Sequence, residues 1–136
     1  MQANNRNAAS LWDMVQAIRR IQEFTANLFF EGYQESILIQ SAVERQLEIL
    51  GEAAGRISEE TRQVHSTIDW RRIVGLRNIL IHRYNEIQQD ILWNIIASEL
   101  VNLLTQLELL LPPHLNHKSK VTYASFTLDS HPTHEC

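Results

Sequence analysis

The stretch Asp69–Tyr84, DWRRIVGLRNILIHRY, reads as a helix that is buried on one side and cationic on the other. Trp70, Ile73, Leu76 and Leu80 recur at three- and four-residue spacing, the mark of a single buried helical stripe. Asp69 stands directly before them as an N-cap, and the pattern stops near His82–Asn85. From Trp70 to Asn85 the chain carries Arg71, Arg72, Arg77 and Arg83 and no acid.

The flanking sequence repeats the helical period. Toward the N-terminus, AVERQLEILGEAAGRIS belongs to a helix predicted from about Gln34 to Ile57, with Leu38, Ala42, Val43, Leu47, Leu50, Ala54 and Ile57 as its stripe. Gly51 and Gly55 lie one turn apart within it. Glycine costs about 1 kcal/mol in a helix interior, so the pair implies close approach of a neighbouring helix. Earlier still, Leu11, Val15, Ile18, Ile21, Thr25 and Leu28 mark a first helix that starts after Ser10, and Glu31-Gly32-Tyr33 reads as the turn. A short helix is expected over Glu59–Val64. Toward the C-terminus, Leu92, Ile95, Ile96, Leu100, Leu103, Leu104 and Leu107 define a last helix from near Asp90, closed by Pro112-Pro113. This helix carries too many leucines for one stripe, so it is either deeply buried at its end or meets a second subunit. The three tryptophans, Trp12, Trp70 and Trp93, lie near apolar stripes and read as core. No period-2 strand stands out before residue 111. The fold class is therefore all-α, a four-to-five-helix antiparallel bundle. A flexible N-terminus over 1–9 precedes the helical domain at 10–111, and a polar, flexible tail follows at 112–136.

Composition sets further bounds. The 136 residues fit one domain, and 44% hydrophobic content supports a core without cross-links. Cys136 is the only cysteine, which excludes an internal disulfide and a cysteine-based zinc site. The tail histidines His114, His117, His131 and His134 sit on a flexible segment with nothing to fix them as ligands, so no metal or other cofactor is expected. MQANNRNAAS lacks the apolar run of a secretory signal, and no 18-residue apolar stretch exists, so a cytoplasmic protein without a membrane segment is expected. The net charge of −4 argues against general nucleic-acid coating. Both lysines, Lys118 and Lys120, lie in the tail, which leaves the cationic side of the Asp69–Tyr84 helix to arginine, suited to bidentate phosphate contact.

Within LRNILIHRYN, Arg77, His82 and Tyr84 form R-x-x-x-x-H-x-Y, with Asn78 directly after the arginine. A histidine with an ordinary pKa near 6.5 exchanges protons at neutral pH. A guanidinium beside it binds phosphate and steadies developing charge. In RNA the 2′-hydroxyl is itself the nucleophile, so the protein needs only proton transfer and electrostatic support, and these are two parts of a cleaving site that needs no metal. One histidine cannot easily serve as general acid and general base in the same step. At 100° per residue, Arg77 and Tyr84 share a helical line, as do Asn78 and His82, but Arg77 and His82 diverge by about 140°. A long arginine, a loosened helix near His82, or a two-fold dimer pooling two copies of the pair would close that gap. The plain alternative is structural: Arg77 pairs with a carboxylate of the row Glu44, Glu48, Glu52, and His82 caps the helix end.

The same segment resembles the signature of HepT-like toxins of the HEPN (higher eukaryote and prokaryote nucleotide-binding) superfamily. LWDMVQAIRRIQEFT and AVERQLEILGEAAGRIS resemble that family's first two helices, and the likeness spans roughly residues 10 to 110 in order. The resemblance implies a dimeric, metal-independent endoribonuclease. It places catalysis on Arg77 and His82 with Asn78 beside them. It also implies a partner, a minimal nucleotidyltransferase antitoxin that uses ATP to attach AMP to Tyr84. A bulky anionic group there would block RNA by charge and volume. Arg71, Arg72 and Arg83 are candidates for guiding the RNA substrate. Two other readings stay open: a non-catalytic module that docks the nucleotidyltransferase, and a purely structural helical dimer.

Overall fold

A computed structural model of the chain describes residues 2–82 and 88–115 and, within them, the side chains other than those of 2–5, 79, 81 and 82. Among the described residues there is no strand, and the fold is the expected all-α bundle. Its elements are α1 (Gln2–Phe24), α2 (Phe30–Gln34), α3 (Ile37–Gly55), α4 (Glu59–Val64), α5 (Trp70–His82), α6 (Gln89–Asn94), a π-helical stretch (Ile95–Glu99) and α7 (Leu100–Leu110). Among the described residues no helix is long and apolar enough to cross a membrane.

Helix α3 is the hub. It packs along α1 on one side and along α5 on the other, while α7 closes on α1. Val43, Leu47, Leu50 and Ala54 supply its buried face; they meet Met14, Val15, Ile18 and Ile21 of α1, and Ile73 and Leu76 of α5, in one core. Each fully buried side chain of this size contributes about 1.5–3 kcal/mol over its exposed state. Trp70 is buried, and Trp12 and Trp93 pack half-buried against the core, so all three tryptophans are structural.

Several boundaries differ from the sequence reading. The first helix begins at Gln2 instead of after Ser10, so residues 2–9 are helical. The reason is Asn7, whose amide donates to the hydroxyls of Ser58 and Thr61 at 3.0 Å each, while its carbonyl accepts from the Ser58 N–H. A polar leader is thus docked on the N-cap of α4. The turn after α1 is Thr25–Asn27, where Asn27 adopts φ 65°, the left-handed region that asparagine tolerates better than most residues. Glu31-Gly32-Tyr33 lies inside α2 instead. The predicted second helix therefore starts at Ile37 instead of Gln34, after a separate short helix, and the Ser36 hydroxyl caps it by accepting from Ile39 N–H. Leu38, assigned to the buried stripe, is 80% exposed.

Other boundaries match. Residues Glu59–Val64 form α4, Asp69 caps α5 by accepting from Arg72 N–H at 3.2 Å, and the last helix ends at Leu110, just before Pro112-Pro113. The π-helical stretch within it was not foreseen. A π turn hydrogen-bonds residues five apart, which swings buried Ile95 and Leu100 toward one face where an α-helix would separate them by about 140°.

Candidate active site

The spacing between α3 and α5 is set at Gly51. A Cβ added there would stand 3.0 Å from the Ile73 carbonyl oxygen, 3.0 Å from Arg77 Cβ and 3.3 Å from Arg77 N. The expected close approach is real at Gly51 and seats Arg77 directly on α3. It is absent at Gly55, where an added Cβ would meet nothing within 4 Å; this glycine ends α3 and lies in the open.

Beyond its Cβ, Arg77 is exposed. Among the described residues its guanidinium makes no ion pair or hydrogen bond. The carboxylate row that offered a structural partner is engaged elsewhere or open to solvent. Glu44 accepts from Gln89 at 2.9 Å, Glu48 pairs with Arg45 at 3.0 Å, and Glu52 is exposed. The arginine is therefore held at its base and available at its tip.

Helix α5 continues as an α-helix through position 82, so the helix does not loosen there to bring residue 82 round to Arg77. Position 82 lies one turn past Asn78 on the same helical line, about 140° from Arg77. The His82 side chain, Arg83, Tyr84 and the tail from 116 onward, with its histidines and Cys136, lie outside the described residues. Among the described residues no cluster of His, Cys, Asp or Glu is arranged to hold a metal ion.

The other sequence candidates divide. Asn78 and Arg71 are exposed on a second face of α5, and both line an open groove of about 820 Å³. Arg72 points away into a bidentate pair with Glu99 of the π-helical stretch, at 2.9 Å for each bond. Those bonds raise its already high pKa and neutralise its charge locally.

Downstream of the motif the chain is fastened by a polar network that the sequence did not reveal. The Tyr33 hydroxyl donates to Gln89 Oε1 at 2.6 Å, and Gln89 Nε2 donates to Glu44 Oε2 at 2.9 Å. Tyr33 is fully buried and its ring packs on Trp93. Burial, and then the Glu44 carboxylate, push its hydroxyl well above the usual tyrosine range, so it remains a donor. The network ties α2, α3 and the start of α6 together. Its members are 45 and 56 residues apart in pairs, so no local pattern could have announced it.

Residues 14–110 match the model of the family described as ribonuclease HepT-like. The chain is 34% identical over 101 residues to "Putative RNase MJ1380" of Methanocaldococcus jannaschii, covering 74% of this chain and 93% of that protein. It is 36% identical over 93 residues to "Probable ribonuclease HepT" of Thermococcus cleftensis, covering 68% and 84%. It is 34% identical over 86 residues to "Putative RNase TTE0752" of Caldanaerobacter subterraneus, covering 63% and 77%. No solved structure gives a significant match.

Proposed function

The chain belongs to the HepT-like ribonuclease family of HEPN domains, and on that premise we propose that it is a metal-independent endoribonuclease acting as the toxin of a toxin–antitoxin pair in the cytoplasm. The observation that carries the reading is Arg77, an exposed guanidinium without a partner among the described residues, seated on the Gly51 contact.

In the proposed reaction the RNA 2′-oxygen forms a bond to phosphorus while the bond to the 5′-oxygen breaks. The products are a 2′,3′-cyclic phosphate and a 5′-hydroxyl end. His82 takes the 2′-hydroxyl proton as general base, and a second proton donor protonates the departing 5′-oxygen. Arg77 stabilises the extra charge on the phosphoryl oxygens, worth roughly 10²–10³ in rate for one such donor. Asn78 orients the phosphate, and Arg71 and Arg83 guide the strand. Arg72, already paired with Glu99, contributes least.

The regular course of α5 supports completion of the site across a two-fold dimer. Two copies of Arg77 and His82 would supply both the missing face and the second proton donor. The surplus leucines of α7 point the same way, since Leu109 is 81% exposed. A nucleotidyltransferase antitoxin would attach AMP to Tyr84: the tyrosine oxygen bonds to the α-phosphorus of ATP, and pyrophosphate leaves. The competing reading, a docking module that cuts nothing, is favoured by exposed Phe29, Ile37 and Leu38 around α2.

Intact mass of the protein made with and without the neighbouring nucleotidyltransferase, paired with RNA cleavage in chelator, tests the reading. Chelator-resistant cleavage by the unmodified form, and added AMP mass that disappears in Tyr84→Phe, are the expected results. No cleavage and no added mass would overturn it in favour of the docking module.

A further inference from the structure

We propose that the open groove between α4 and the outer face of α5 is an RNA subsite, holding a nucleotide that flanks the cleaved phosphodiester. The proposal rests on the ribonuclease reading. The groove is about 820 Å³, within the size range of ligand sites, and is open to solvent, which suits a passing strand better than an enclosed small molecule. Asn78, the residue after Arg77 and one turn before position 82, is among its lining residues. A strand lying in it is therefore delivered to the candidate reaction centre.

Its chemistry suits a base edge and a phosphate. Gln63, Ser66, Thr67 and Asn78 offer exposed amides and hydroxyls, the groups that read unstacked bases in single-stranded RNA. Arg71 is exposed and has no ion pair among the described residues. The two acids at the rim are engaged by the chain's own donors: Asp69 caps α5, and Glu59 accepts from Gln63 at 3.4 Å.

Gly75 supplies the independent observation. It stands in the interior of α5, where glycine is unfavourable relative to alanine. Gly51 is explained by helix packing, but a Cβ at Gly75 would meet nothing within 4 Å. Among the described residues no neighbour requires a glycine there. Gly75 lines the groove and leaves bare backbone there, and close approach of backbone to a ligand is a standard use of glycine.

Adding a side chain at Gly75 tests this without touching the core. Gly75→Leu should raise the KM for a mixed-sequence single-stranded oligoribonucleotide about tenfold, the weight of roughly one lost hydrogen-bonding contact, with kcat little changed. Gly55→Leu, the same substitution at a glycine outside the groove, should cleave like the parent. Ser66→Glu, an exposed change at the rim that adds a negative charge, should raise KM in the same direction and carries the test if Gly75→Leu folds poorly. Unchanged KM in Gly75→Leu with a parental melting temperature, or in Ser66→Glu, overturns the subsite while leaving the ribonuclease intact. No cleavage by the parent refutes the ribonuclease reading and the subsite with it.

Discussion

Replacing Gly51 with alanine places a methyl group where α3 and α5 touch. The new Cβ would sit 3.0 Å from both the Ile73 carbonyl oxygen and Arg77 Cβ. Carbon atoms prefer about 3.5–4.0 Å, so α5 has to retreat by a few tenths of an ångström. The obstructing atoms are backbone and Cβ, which cannot swing aside as the end of a long side chain can. Overpacking of this kind costs roughly 1–3 kcal/mol. Alanine recovers about 0.5–1 kcal/mol of helix preference over glycine, which leaves a net loss on the order of 1 kcal/mol. For a domain of this length that lowers the melting temperature by about 3–5 °C. The same retreat moves Arg77, and misplacement of a catalytic group by about 1 Å can cost on the order of 10²-fold in rate. Gly51→Ala should therefore lose roughly two- to fivefold in RNA cleavage, beyond what its stability loss explains at a temperature where it stays folded. Gly55→Ala is the internal control: with nothing near its added Cβ, it should melt at or above the parental temperature and cleave normally. Thermal melts by circular dichroism and initial cleavage rates read both quantities. A Gly51→Ala protein as stable and as active as the parent would refute the claim that this contact sets the position of Arg77.

Two further outcomes follow from the packing. Tyr33→Phe removes the hydroxyl bonded to Gln89 and should cost about 1 kcal/mol near neutral pH. Its pH dependence has a definite sign: the folded-state pKa is raised, so the hydroxyl's contribution is fully present below the unfolded value of about 10 and declines above it. Urea denaturation at rising alkaline pH should therefore show the parent losing stability faster than Tyr33→Phe, and parallel curves would contradict the network. Asn7→Ala removes the three hydrogen bonds that dock α1 on Ser58 and Thr61, and should cost about 1–3 kcal/mol in a chemical melt; a neutral result would mean the first turns of α1 carry no stability.

What the sequence disclosed was what local periodicity and capping encode. Trp70, Ile73, Leu76 and Leu80 marked the buried side of α5 and Asp69 its cap, because each of these signals sits within one or two turns of its cause. Gly51 announced a close helix contact, but only the fold shows that the neighbour is α5. The break before α3 was hidden because Gly32 looked like the stronger turn signal, while the chain turns at Asn27 and caps at Ser36. Leu38 fits the helical period of α3 but falls beyond the neighbours that bury the rest of the stripe. Asn7 and Tyr33 were missed for a different reason. Their partners lie more than 50 residues away, and a polar side chain shows its role only when the fold delivers those partners. At the site, spacing exposed the divergence of Arg77 and His82, and the unbroken α5 keeps that divergence within one chain. The groove beside Asn78 needed the fold, since α4 and α5 build it together.

The most direct test of the central claim compares Arg77→Ala, His82→Ala and the parent for RNA cleavage in excess chelator, with a melt of each. Alanine at 77 keeps the Cβ that rests on Gly51 and removes an exposed guanidinium, so its melt should stay within about 0.5 kcal/mol of the parent. The account predicts chelator-resistant cleavage by the parent and a loss of at least about 10²-fold in both variants. Parental cleavage rates in a well-folded Arg77→Ala protein, or activity that vanishes with chelator, would contradict it.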